Sequence, residues 1–231
     1  SCLYKHLKMS TRNTYLNIFK VTEQQLHKLA AVALAHGGDY CDLYFEHTTY
    51  FNLLLKDGAV SSGGFHTDFG VGIRVLKGEK TGYAYSENTG MADMTKAAVA
   101  ASAIASGAGS AKREYKAVSD RRYDLYPMKE NWRSKSADAF LPFMLELEKK
   151  IFAKDSRIVK VIIRLSDSVS DVMMYNSLGE LTCDTRPMGS VSVTAVFLQD
   201  GKTENRSASR SFRIGAEFIG QELMEELADE A

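Results

Sequence analysis

The side chains in this chain that could hold a metal or activate a nucleophile include 5 histidines and 3 cysteines. Cleaving a peptide with bound zinc needs two histidines about one helical turn apart, with a carboxylate beside them to activate water. His6, His27, His36, His47 and His66 are followed by Leu7, Lys28, Gly37, Thr48 and Thr67, so no His-Glu dipeptide occurs. His27 and His36 fall on one expected helix, about two and a half turns apart, and so face opposite sides. Cys2, Cys41 and Cys183 lack CxxC spacing. Cys41 and Cys183 sit in strand-like runs, where a thiol acts as a small buried hydrophobe, and this suits a reducing compartment. Ser61 and Ser62 with His66 would supply a nucleophile and a base, but nothing orients an acidic third member. Gly70-x-Gly72 lacks the third glycine and following helix of a dinucleotide fingerprint. Gly63-Gly64 lies between strand runs, where a bulge or bend is the simpler reading. Asp167 and Asp171 flank an expected turn and should make local backbone bonds.

The candidate that survives is backbone chemistry. Asp68–Arg74 reads DFGVGIR, a good strand carrying two glycines. A strand glycine marks a bulge or the close approach of something else, another backbone included. Gly70, Val71, Gly72, Arg74, Tyr83 and Tyr85 are therefore the expected substrate-binding positions, facing an extended peptide laid against the sheet. The plainer alternative is that the glycines only make room for bending or for a large neighbour such as Phe65.

These positions need a meander to hold them. Cys41, Leu43 and Phe45 alternate with polar residues, and Phe51, Leu53 and Leu55 repeat the pattern. Asp57-Gly58 supplies a tight hairpin turn between strands. Val71, Ile73 and Val75 form a third run, Lys77–Lys80 the next turn, and Tyr83 and Tyr85 open a fourth. Upstream, Thr22 and Gln25 fit a capping box for a helix bearing Leu26, Leu29, Ala30, Ala33 and Leu34, ended by Gly37-Gly38. Residues 1–20 read as a lead-in without a period. Met91–Ser106 reads as an Ala-rich helix stopped by Gly107 and Gly109. Residues 110–134 read as a surface connection pinned by Tyr115, Tyr123, Tyr126 and Trp132. A helix to about Lys154 follows, with Phe140, Met144, Leu147 and Ile151 on one face and Pro142 in its first turn or at a kink. Val159–Leu165, Val172–Tyr175, Glu180–Thr185 and Ser190–Leu198 read as strands, with turns at Asn176–Gly179 and Asp200-Gly201. Glu217–Ala231 reads as a helix whose Leu223 and Leu227 call for a packing partner outside the chain.

The fold class that follows is α+β, a two-layer sandwich of mostly antiparallel sheet with helices on one face. Segments 21–107 and 136–231 share the order helix, strands, helix across a linker at 108–135, as an internal duplication would. A chain of 231 residues that is 45% hydrophobic can bury a sizeable core. Lys+Arg and Asp+Glu are both 29. That balance argues against direct nucleic-acid binding, which favours a basic excess. No apolar run approaches the ~20 residues of a membrane helix.

Four phrases in order, DYCDLYFE (39–46), KDGAV (56–60), DFGVGIRV (68–75) and GEKTGYAYS (78–86), resemble the N-terminal region of the TldD/PmbA metallopeptidases, nearer the TldD branch. The resemblance implies a zinc enzyme cleaving small or unfolded peptides in the cytoplasm, paired with a TldE/PmbA-like subunit or with itself as a dimer. It places the zinc motif H-E-x-x-x-H beyond Ala231, so that residues 21–231 would be an N-terminal channel and assembly domain, silent alone. The family has also carried the label of DNA gyrase modulator, an effect that the balanced charge makes indirect. The rival is a non-catalytic interaction module of the PmbA/TldE kind.

Overall fold

The computed structural model describes residues 11–105, 119–122 and 125–231. Expectations for residues 1–10, for the helix stop at Gly107 and Gly109, and for Tyr115 and Tyr123 lie outside the described residues. The helices are α1 (Thr11–Phe19), α2 (Glu23–Ala33), α3 (Met91–Ile104), α4 (Ala137–Phe152) and α5 (Gln221–Glu230). The strands are β1 (Tyr40–Lys56), β2 (Ala59–Lys77), β3 (Lys80–Ser86), β4 (Ser119–Arg122), β5 (Ile158–Asn176), β6 (Glu180–Gln199) and β7 (Lys202–Phe212). They form a 7-stranded sheet of order β3-β2-β1-β5-β6-β4, with β7 also paired to β6. Pairing is antiparallel for β2 with β3 and β6 with β7, and parallel for β4 with β6. The class is α+β, as expected.

Local rules explain most element ends. Thr22 and Gln25 form the capping box: Gln25 N–H donates to Thr22 Oγ1 at 3.2 Å, and Thr22 N–H donates to Gln25 Oε1 at 2.8 Å. Asp57 and Gly58 take φ of 54° and 73°, the left-handed pair of a two-residue hairpin loop. Asp200 and Gly201, at 51° and 74°, repeat it between β6 and β7.

Several expectations need correction. The runs Cys41–Phe45 and Phe51–Leu55 belong to one strand of 17 residues. Both place odd-numbered residues inward, so the alternation never changes phase and no turn separates them. Likewise β5 runs unbroken from Ile158 to Asn176, with no turn at Asp167–Asp171. His36 lies beyond α2, where its Nδ1 sits 3.0 Å from Ser102 Oγ. Pro142 is the sixth residue of α4, past its first turn. α1 anchors part of the lead-in by burying Tyr15, Leu16 and Phe19. The supposed connection contains β4 and buried Trp132. Leu223 and Leu227 are buried within this chain and need no outside partner. The polar strand β7, KTENRSASRSF, went unforeseen.

The chain divides into two compact units that do not follow segments 21–107 and 136–231. One comprises Ser1–His47, Asp68–Asp124 and Asp171–Thr185; the other comprises Thr48–Thr67, Leu125–Ser170 and Arg186–Ala231. In the first, α1, α2 and α3 pack Phe19, Leu26, Leu29, Met94 and Ala98 on Leu43, Phe45, Val71, Ile73 and Val75. In the second, Phe140, Met144, Leu147 and Ile151 of α4 and Leu227 of α5 pack on Leu55, Val161, Ile163, Val191 and Val193. Each of these side chains larger than alanine contributes about 1.5–3 kcal/mol by leaving water.

Candidate functional site

The glycine strand occupies the first unit. β2 and β3 keep an unbroken register from Val71↔Ser86 to Lys77↔Lys80, so Gly72 stands opposite Tyr85 and Arg74 opposite Tyr83. No extra residue bulges out between the paired positions. Tyrosine rings lie over the glycines, and at Gly70 the Ser86 carbonyl oxygen of β3 joins them, 2.6 Å from where a Cβ would stand. A Cβ on Gly70 would come 2.7 Å from Tyr85 Cζ, and one on Gly72 2.6 Å from the Tyr83 hydroxyl oxygen. Each ring leans diagonally onto the bare backbone of the neighbouring strand, the pairing by which aromatics compensate a glycine in a sheet. Tyr85 O–H donates to the Phe69 carbonyl at 3.1 Å, which fixes its ring. Even so, Tyr83 and Tyr85 remain 59% and 53% exposed.

Of the six expected positions, Gly70, Gly72, Arg74, Tyr83 and Tyr85 share this outward face. Val71 turns the other way, into the core, because alternation along a strand demands it. Asp42 of β1, which sequence reasoning left out, joins the group. Its buried carboxylate accepts from Arg74 Nε at 3.1 Å and from Nη2 in a shorter contact. Burial and then the Asp42 charge push the Tyr40 hydroxyl above the usual tyrosine value. Burial first, then the carboxylates of Glu87 and Asp68, do the same to Tyr85.

The same unit holds a polar chain with no sequence signal. Tyr15 Oη lies 2.5 Å from Thr185 Oγ1, which donates to Asp171 Oδ1 at 2.8 Å. The other Asp171 oxygen is 3.6 Å from His47 Nδ1. Asp171 is thus held by side chains distant in sequence rather than by a turn. In this order the hydroxyl meets the carboxylate and not the imidazole, so the group is not a nucleophile–base arrangement.

The second unit has a cavity of about 210 Å³ lined by Tyr50, Asn52, His66, Asp167 and Met188, among others. His66 stacks on Tyr50, with ring centroids 4.3 Å apart, while Ser61 and Ser62 are exposed residues of β2. Asp167 falls in phase with buried Leu165 and Val169, and burial pushes its carboxyl up to about 7. Trp132 Nε1–H donates to the Ile214 carbonyl at 2.8 Å, and Tyr126 carries Arg213 5.3 Å above its ring. These two aromatics do pin their segment, as expected. Among the described residues no group of three or more His, Cys, Asp or Glu could hold a metal ion. The described residues therefore do not fit a zinc centre.

Residues 41–105 match the family model of PmbA/TldA metallopeptidase domain 1, and residues 130–231 that of the PmbA/TldA metallopeptidase central domain. The chain belongs to the PmbA/TldD family. The tyrosine face lies wholly within the first match and Asp167 within the second. A metalloprotease TldD homolog of Haemophilus influenzae is 29% identical over 213 residues, covering 90% of this chain and 43% of that protein. Its namesake from Buchnera aphidicola of Acyrthosiphon pisum is 25% identical, covering 88% and 42%. The chain thus spans less than half the length of these relatives. Among solved structures, a proposed DNA gyrase modulator of Thermotoga maritima superposes with a TM-score of 0.69 at 21% identity, over 90% of this chain and 47% of its own. TldE of Thermococcus kodakarensis gives 0.66 at 13%, over 90% and 46%. These two share the fold. No described helix is long and apolar enough to cross a membrane.

Proposed function

We propose that this chain is the substrate-channel and assembly part of a zinc metallopeptidase of the TldD kind, which cleaves small or unfolded peptides. The observation that carries the reading is the pair of metallopeptidase family models, matched in order at 41–105 and 130–231. Relatives named metalloproteases are more than twice as long as the matched region, so polypeptide outside this chain is assigned the zinc. The chain's own part is to hold substrate. Among the described residues β3 is the terminal strand of its ladder, and an extended peptide laid along it would meet Tyr83, Tyr85 and Arg74, with Gly70 and Gly72 acting beneath the rings. A cytoplasmic, reducing setting suits the buried thiols of Cys41 and Cys183. The assembly would be a dimer, with a TldE/PmbA-like subunit or with a second copy.

The test compares this chain with the longest product of its reading frame. The longer protein should bind zinc and release peptide fragments in a reaction that a chelator stops, whereas this chain alone should release none. Chelator-sensitive cleavage by this chain alone would overturn the division of labour. The likeness to TldE keeps a second reading in view, a non-catalytic interaction subunit. An H-E-x-x-x-H stretch encoded after Ala231 favours the enzyme, and a degenerate motif favours the subunit.

A further inference from the structure

The outward face of β2 and β3 has a charge pattern that the peptide reading does not require. Tyr85 and Tyr83 each rest one side on a glycine backbone and are more than half exposed. The rings are held in place before any ligand arrives, Tyr85 by its bond to the Phe69 carbonyl. Asp68 and Glu87, both exposed, flank Tyr85 along β2 and just beyond β3, and the half-buried Glu46 of β1 adds a third carboxylate. All three bear electrostatically on the Tyr85 hydroxyl. The cation that stands in the ladder opposite Tyr83 is Arg74, whose charge is already met by Asp42. The rings thus offer π faces beside the exposed carboxylates of Asp68 and Glu87, the setting in which an ammonium or guanidinium group is attracted to an aromatic face.

We propose that this face docks a lysine or arginine side chain of an extended peptide, seated on Tyr85 and Tyr83 with Asp68 and Glu87 as counter-charges. The inference rests on the peptide-holding reading and narrows it to peptides carrying a cation. Glycine is required below the rings because any side chain there would lift them from the sheet and spoil the seat.

The experiment measures binding of dye-labelled, end-blocked heptapeptides, Ala-Thr-Ala-X-Ala-Thr-Ala, to the protein by fluorescence anisotropy, with X lysine, norleucine or glutamate. The lysine peptide should bind roughly fivefold tighter than the norleucine one, since an exposed ring–cation contact is worth about two- to fivefold. The glutamate peptide should bind weakest. The double variant Asp68→Asn, Glu87→Gln, which leaves the rings untouched, should erase most of the lysine preference. Tyr85→Phe should keep that preference and Tyr85→Leu should lose it, each checked for an unchanged thermal midpoint. Equal binding of the three peptides, no binding of any, or a lysine preference indifferent to the double variant would overturn the proposal. Equal binding would leave the peptidase reading standing. A longer protein that cleaves nothing while the lysine preference persists would remove the peptidase reading alone.

Discussion

Replacing Asp167 with asparagine should make the protein more stable at neutral and alkaline pH and leave it unchanged in acid. The carboxyl lies in phase with the buried Leu165 and Val169, and burial raises its pKa from 3.8 to about 7. Burial disfavours the charged form, so between those values the folded protein holds a proton that the unfolded chain has released. The favourable contribution of the neutral acid is therefore complete below the lower value. It drains away as pH rises towards the upper one and changes no further beyond it. A rise of roughly three pH units at ~1.36 kcal/mol each sets a ceiling of about 4 kcal/mol. Because the side chain is only half-buried, solvent screening brings this to about 2 kcal/mol. Asparagine keeps the shape and cannot ionise. Urea denaturation at pH steps from about 4 to about 8 should show the wild-type stability falling and that of Asp167→Asn staying level, with a gap of ~2 kcal/mol at the top. In melting temperature that is about 4–8 °C for a chain of this size. Parallel pH profiles for the two proteins, or a variant less stable than wild type at about pH 8, would refute the desolvation argument.

Two further substitutions test the framework around the tyrosine face. Gly82→Ala would drive a Cβ into the Ala101 carbonyl of α3 and to 3.2 Å from the nitrogen of Ala105 at the helix C-cap, both backbone that cannot turn aside. A loss of about 3 kcal/mol or more in chemical denaturation is expected, and a loss under ~1 kcal/mol would mean that α3 yields freely. Arg74→Ala strands the buried Asp42 carboxylate without its guanidinium. With half of the arginine side chain in solvent, the expected cost is about 1–2 kcal/mol, read as a shift in denaturation midpoint that Asp42→Asn in the same background should partly recover.

Much of this was legible in the sequence wherever a local rule binds. The Asp-Gly turns, the capping box and the apolar faces of α2 and α4 each follow from a few neighbouring residues. Strand length was harder, because Thr48 and Thr49 interrupt the apolar alternation of β1 without breaking its phase. β7 has scarcely an apolar residue and exists because β6 offers it a ladder, which no local pattern encodes. β4 is likewise made by pairing. The partnership of glycines and tyrosines had an unused signal. The tight turn at Gly78 and Glu79 sets Lys77 opposite Lys80, and counting back places Gly72 opposite Tyr85. Gly-x-Gly set one pair out of step with Tyr-x-Tyr, so that each ring can lean diagonally onto a glycine, is then a pattern open to anyone who pairs the strands before asking what the glycines are for. The Tyr15–Thr185–Asp171–His47 chain had no such signal, since it joins three regions far apart in the sequence.

The interleaving of the two compact units bears on how the protein must be made. A ribosome delivers Leu43, Phe45 and Val71 early, but that core also takes Met173, Tyr175, Leu181 and Cys183, which emerge about a hundred residues later. The other core waits in turn, holding Leu53 and Leu55 in readiness for helices and strands that come much later. Neither core is complete until those later residues have been made, and the sequence separation of its contacts makes folding slow. Unfinished chains should therefore be strong clients for chaperones and easy prey for proteases.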